Sequence, residues 1–137
     1  MSMLNTLQIS SSAMNAQMVR MNTTASNLAN MDVVGSSEEE AYKAKKPIFK
    51  TVMETYTNND FQASVSVSGI HVTQRANSKR YDPQNPAAND DGYVYMSNVN
   101  SIEEMVDMTN ASRSYQTNVE VMNATKKMMM STLQLGR

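Results

Sequence analysis

The sequence predicts a mainly α fold with a small β insertion: two long terminal helices paired as an antiparallel coiled-coil hairpin, and a loop-rich β segment between them. Three observations predict it. A stripe of helical period runs from Ser101 to Leu135 with no proline or glycine inside it. A second runs over residues 3–29, equally uninterrupted. The stretch between them alternates with period two and is punctuated by proline and glycine. The chain divides accordingly into an N-terminal helical segment over 1–34, an insertion over 35–97 and a C-terminal helical segment over 98–137.

In the later stripe, Met105, Met108, Tyr115, Val119, Met122, Met129 and Leu133 recur at steps of three and four, with Ser112 and Lys126 in the polar gaps. That is a coiled-coil seam sustained over about four heptads. Ser101 and Glu104 have the spacing of a capping box. Glu103, Glu104 and Asp107 at the start and Lys126 and Lys127 toward the end all complement the helix dipole. At ~1.5 Å per residue the rod is about 50 Å long, and one narrow stripe on so long a helix requires a partner.

The earlier stripe supplies that partner: Leu4, Leu7, Ser11, Met14, Met18, Met21, Ala25 and Leu28 alternate in the same way, and Asn30 and Gly35 are stop signals. In an antiparallel hairpin Met14 is expected beside Met122. Only one charge, Arg20, precedes Asp32. A polar but nearly uncharged outer face suits a helix surrounded by other protein.

Within the insertion, residues 36–46 read as a polar loop, with Glu38 to Glu40 followed by Lys43, Lys45 and Lys46. Ile48 to Tyr56 reads as a strand, and Thr57 to Asp60 as a turn. Val65, Val67, Ile70 and Val72 form a second period-two stretch whose phase slips at Gly69, as a bulge would make it. Asp82-Pro83 and Asn85-Pro86 mark turns. Asp91-Gly92 leads as a hairpin-type turn into a short strand, Tyr93 to Met96.

Composition narrows the function. The chain has 137 residues, one domain's worth, with 40% apolar and 6% aromatic content and no Trp, a thin supply for a compact core. Its 14 methionines hold much of the apolar content, and unbranched thioether chains let one surface repack against several neighbours. A net charge of −1 makes no electrostatic case for nucleic acid or an anionic membrane. With no cysteine, disulfides and thiolate metal sites are excluded. No apolar run approaches the ~18 residues of a membrane span, and the N-terminus lacks the pattern of a cleaved secretory signal.

Candidate chemistry is sparse. His71 is the single histidine, so paired-histidine metal or acid–base motifs cannot form. Aligning Gly92 with the sixth position of a calcium loop puts Ala87 first and Asn98 twelfth, where Asp and Glu are needed. Asp90 and Asp91 are adjacent, whereas glycoside cleavage needs carboxylates on opposite sides of a bond. Arg75, Lys79 and Arg80 form the one basic cluster, read as a solvated face or a rim contact with a neighbouring subunit. The reading is therefore of a protein that is not an enzyme and has no cofactor or metal.

Several motifs resemble those of bacterial flagellar axial proteins. Ser26-Asn27-Leu28-Ala29-Asn30, closing the first helix, is similar to the signature shared by rod and hook proteins. Tyr81-Asp82-Pro83, Asn85-Pro86, Asp90, Gly92-Tyr93-Val94, Met96 and Asn98-Val99 resemble the proximal-rod members in particular. Glu104-Met105-Val106, Ala111 to Gln116, Asn118-Val119 and Leu133 to Gly136 continue the likeness in one register over essentially the whole chain. The resemblance implies a structural subunit of the basal-body rod, the drive shaft crossing the periplasm. Such subunits are exported by the flagellar type III apparatus without signal cleavage and stack helically. The partners implied are copies of itself, other flagellar rod proteins, the rod-to-ring adapter FliE, the MS ring and the export apparatus. Two other readings, a peptidoglycan-cleaving enzyme and an export adaptor or chaperone, are separated from it by a carboxylate cleft and by cytoplasmic retention, respectively.

Overall fold

Helix α1 spans Met3–Ala29 and helix α2 spans Ser101–Leu135. They are the two longest elements of the computed structural model, which describes residues 3–56 and 60–135, with side chains over 3–53 and 63–135. Both boundaries follow from local chemistry. At the end of α1 the Asn30 side chain donates to the Ser26 carbonyl (2.7 Å), satisfying a terminal acceptor where no glycine is available. At the start of α2 the cap is Asn100, not Ser101. The Asn100 Oδ1 accepts from the amides of Ile102 (3.1 Å) and Glu103 (3.4 Å). Ser101 is therefore already helical, and the expected capping box with Glu104 does not form. Glu104 is instead buried, 3% exposed, and lines a cleft with Arg20, Thr24 and Lys46.

The insertion contains two sheets. Strands β2 (Lys45–Tyr56) and β3 (Asp60–Val72) form a long antiparallel hairpin. Its register shifts once: Ile48 faces Gly69 but Phe49 faces Val67, so Ser68 is the extra residue of a bulge. The slip read at Gly69 is thus a bulge one residue away. Of the turn expected at Thr57 to Asp60, residues 57–59 lie outside the described residues, and Asp60 is instead the first residue of β3, paired with Tyr56. The second sheet has the order β1-β5-β4, with β1 (Val34–Gly35) and β4 (Lys79–Tyr81) each antiparallel to the central β5 (Tyr93–Met96). β1 and β4 are too short to show an alternation, which is why the sequence reading contained only β5.

Helix α1 packs against α2 on one side and against both strands of the β2–β3 hairpin on another. Among the described residues helix α2 runs along α1 and meets the strands through side chains near its start, where Lys46 reaches Glu103. The fold is accordingly mainly helical with a β insertion. Its core is thin: the buried apolar residues among those described are Ala16, Ala41, Ala44, Val94 and Ala111. The largest fully enclosed side chains are Val94 and Asn27. Alanine burial removes little apolar area from water, so hydrophobic burial alone does not define this arrangement.

The helix faces differ in detail from the stripes read in the sequence. Met108, Tyr115, Met122 and Met129 are half-buried, as are Leu7, Met14, Met21 and Leu28. Between them, however, the inward steps lie one residue earlier than the apolar pattern suggests. On α2 they are Glu104, Ala111, Asn118 and Thr125; on α1 they include Ser10, Gln17 and Thr24. Met105 (54% exposed) and Leu133 (69%) turn outward. Three polar residues on the helices are made compatible with burial by bonding to their own helix. Thr125 donates to the Val121 carbonyl (2.9 Å), Thr23 to that of Val19 (2.8 Å) and Asn118 to that of Ser114 (2.8 Å). Each then presents carbon to its neighbour.

Candidate functional site

Long-range side-chain to backbone hydrogen bonds gather at a junction at Tyr42–Lys45, where asparagines from three regions converge. Asn27, 0% exposed at the end of α1, treats the Lys45 peptide as a strand partner would. It donates to the Lys45 carbonyl (2.8 Å) and accepts from the Lys45 amide (3.0 Å). Its Oδ1 also accepts from the Tyr42 hydroxyl (3.0 Å). Asn98, just before α2, accepts from the Ala44 amide (2.7 Å) and donates to the carbonyls of Arg75 (2.6 Å) and Thr73 (3.4 Å). Asn77 donates to the carbonyls of Tyr42 (3.1 Å) and Met96 (2.7 Å). The Thr73 amide completes the set by donating to the Ala44 carbonyl (2.8 Å). A carboxamide carries both a donor and an acceptor, so one asparagine can satisfy both backbone groups of Lys45, which point away from its strand partner Val72. This also explains why β2 begins at Lys45, inside the stretch read as loop.

A cluster of ions lies beside the junction. Lys46 bonds to Glu103, with Asp107 at 4.0 Å, and Arg75 lies 3.8 Å from Glu103. The hydrogen bond to Glu103 holds the Lys46 ammonium above its usual range against the cost of partial burial; the carboxylates of Glu103, Asp107 and Glu104 add to the effect. The same bond and the Lys46 charge lower the Glu103 carboxyl, with Arg75 contributing less. Lys46 thereby ties the first residues of β2 to the first turn of α2.

A second hydrogen-bonded feature is the loop from Asp82 to Gly92, which joins β4 to β5. Its ends meet through the Asp82 amide donating to the Gly92 carbonyl (2.9 Å). Asn89 Oδ1 accepts from the amides of Tyr93 (2.8 Å) and Asp91 (3.1 Å). Gly92 has φ 78°, and a Cβ there would lie 3.0 Å from the Tyr81 ring and 3.2 Å from Pro83. The rings of Tyr81 and Tyr93 meet edge-on at 5.2 Å. Asp90 and Asp91 are both exposed, as is His71 on β3. Among the described residues no group of three or more His, Cys, Asp or Glu is placed to hold a metal ion, and no helix is long and apolar enough to cross a membrane.

Residues 7–35 match the family model described as flagella basal body rod protein, and residues 90–135 match that of the flagellar basal body rod FlgEFG protein C-terminal. The flagellar basal-body rod protein FlgC of Salmonella typhimurium is 41% identical over 137 residues, covering all of both chains. The FlgC of Escherichia coli O6:H1 is 42% identical over the same span, and that of Bacillus subtilis is 34% identical over 150 aligned residues, again covering both chains in full. The chain belongs to the FlgC family of flagellar basal-body rod proteins. It is a structural subunit of the flagellar basal body, not an enzyme.

With the family known, the placement of the motif residues acquires meaning. In this rod protein Asn27 and Asn98, from two motifs far apart in the chain, grip consecutive residues of one segment. Asn30 closes α1, Leu28 is half-buried and Ala29 exposed. Tyr81, Asp82, Pro83, Pro86, Gly92 and Tyr93 build the loop between β4 and β5, with Tyr81, Pro83, Pro86 and Tyr93 exposed. Asn118 belongs to the face of α2, not to the junction. Of the residues read as seam or interface, Leu4, Met18, Met105 and Leu133 are exposed, and Val119 joins the half-buried set. Asn77 was missed. It stands in a polar run, Gln74 to Arg80, that carries no periodicity to mark it.

Proposed function

We propose that this chain is a proximal-rod subunit that stacks helically with copies of itself and with other rod proteins, forming part of the shaft that transmits torque across the periplasm. The observation that carries this reading is the outer face of α2. Ile102, Met105, Val106, Val121, Met128, Met130 and Leu133 are exposed along the length of a helix that lies against α1 on one side. Monomeric proteins rarely leave so extended an apolar surface uncovered, and a heterologous contact that does not close produces a filament.

In this reading residues 1–34 and 98–137 form an inner coiled-coil domain and 35–97 an outer insertion. Three shared clefts support an antiparallel pairing of the helices: Thr24 lines one with Glu104, Leu7 another with Met122, and Met3 a third with Leu135. Met122 shares its cleft with α1 residues from Leu4 to Asn15, the stretch in which the stripes place its partner Met14. The seam residues Leu7, Met14, Met21, Leu28, Met108, Tyr115, Val119, Met122 and Met129 serve the pairing, and Leu4, Met18, Met105 and Leu133 face neighbouring subunits. The adapter FliE, the MS ring and the flagellar export apparatus complete the set of partners, with export proceeding without a cleaved signal.

Fractionation tests the proposal. A tagged chain expressed in its own flagellated cell should copurify with isolated basal bodies, and its deletion should abolish motility. Retention in the cytoplasm as a stoichiometric complex would establish an export adaptor instead.

A further inference from the structure

The three-stranded sheet carries opposite charges on its two edges. At one edge, β1 leads directly into the loop 36–41. That loop folds back so closely that a Cβ on Gly35 would lie 2.8 Å from the Ala41 nitrogen. It is further pinned by the Ala41 amide donating to the Ser37 carbonyl (3.0 Å), the Glu40 amide donating to Ser37 Oγ (3.3 Å), and Ser36 donating to the Glu40 carboxylate. Glu38 and Glu39 are left exposed, and no ion pair among the described residues includes either. At the other edge, all three residues of β4 are exposed. Lys79 is steadied by the Tyr95 ring, its ammonium 5.2 Å from the centroid, and Arg80 by Asp82 at 3.4 Å. Tyr81 stands beside them, 65% exposed.

We infer that the basic edge Lys79–Arg80 of one subunit docks the acidic loop Glu38–Glu39 of a second copy of this chain, head to tail. The inference rests on the proposed self-stacking and gives it a direction. The occupant follows from charge complementarity: the chain, near neutral overall at −1, carries both halves of the contact. The edges lie on either side of β5, about 10 Å apart at the usual strand spacing. A two-fold pairing of the β4 edges would oppose like charges, whereas the order β1-β5-β4 turns the two edges opposite ways, so a head-to-tail contact at one leaves the other open to the next copy. Tyr81 supplies apolar contact at the rim, while the charges set orientation and encounter.

Charge reversal tests it. Glu38→Lys with Glu39→Lys, Lys79→Glu with Arg80→Glu, and all four substitutions together would be expressed in cells lacking their own copy. Incorporation into isolated basal bodies would be measured, with circular dichroism of each purified chain checking its fold. Each double reversal should lower incorporation about tenfold, and the fourfold swap should return it to within about threefold of the unaltered chain. Reversals without effect would overturn the inference. So would a fourfold variant as defective as the doubles, which would give the basic edge to a different acidic partner. Failure of the unaltered chain to enter basal bodies would instead overturn the proposed function, and this contact with it.

Discussion

At the junction, Asn27, Asn77 and Asn98 direct their carboxamides to backbone groups of a segment distant in sequence. Along the helices, the Thr23 and Thr125 hydroxyls and the Asn118 carboxamide donate to the carbonyl one turn back in their own helix. Both arrangements give buried polar side chains hydrogen-bond partners, with the Asn77 Oδ1 at the junction and the Gln17 Oε1 in the seam the two buried side-chain atoms left unpaired among the described residues, but they carry different information. A long-range bond of fixed geometry specifies one placement of the insertion against the helix ends. A bond within one helix says nothing about the neighbouring helix, so the contact is left to small residues and adaptable methionines. The rod protein thus combines a rigid junction with a permissive seam, which suits a subunit that must keep its shape while meeting non-identical neighbours.

The sharpest way to break this contrast is Asn27→Ala. It strips partners from the Lys45 amide and carbonyl and from the Tyr42 hydroxyl at a fully enclosed site. At ~1–3 kcal/mol for each buried group left unpaired, the loss should be about 3–5 kcal/mol. Urea unfolding followed by tyrosine fluorescence reads it; an unchanged midpoint would remove Asn27 as the anchor.

Next in size is Gly35→Ala, whose new Cβ would sit 2.8 Å from a backbone nitrogen. Moving that backbone should cost about 2 kcal/mol. Gly69→Ala, with nothing within 4 Å, is the control and should stay within about 0.5 kcal/mol. Equal thermal shifts for the two would show that the close approach at Gly35 is not a constraint.

The helix seam should respond with the opposite sign. Gln17 carries a buried Oε1 that has no hydrogen-bond partner. Gln17→Met keeps the shape and removes that atom, so it should stabilise by about 1 kcal/mol. A loss of stability would mean that the seam depends on polar groups as the junction does.

The smallest effect belongs to Lys46 and Glu103. Glu103 is lowered in the folded chain, so its contribution is complete above the ordinary glutamate value of about 4.3 and is lost as pH falls through the lowered one. Lys46 is raised, so its contribution is complete below about 10.4 and is lost as pH rises through the raised value. Both side chains are roughly two-fifths exposed (42% and 39%), and solvent screening limits the pair to about 0.5 kcal/mol. Lys46→Met should therefore flatten the acid limb of the stability profile only slightly; a large drop at neutral pH would make the ion pair part of the anchor.

Much of this was legible in one dimension. Helix lengths follow from uninterrupted stretches, one ending before Asn30 and the other beginning at Ser101, strand β5 from Tyr93 to Met96, and the bulge from the broken alternation near Gly69. The terminal helices needed no tertiary information because period and composition act locally. The exact face each helix buries did need it. Met105 and Leu133 fit the heptad by residue type, but α2 lies against α1 on one side, and the smaller Ala111 and Thr125 allow the closer approach. The junction was legible only as motif residues. That Asn27, Asn77 and Asn98 meet at one segment, 15 or more residues from each of them, is a fact of tertiary folding. A hydrogen bond leaves no periodic trace in sequence, because a single carboxamide suffices and its partner is backbone, which every residue has.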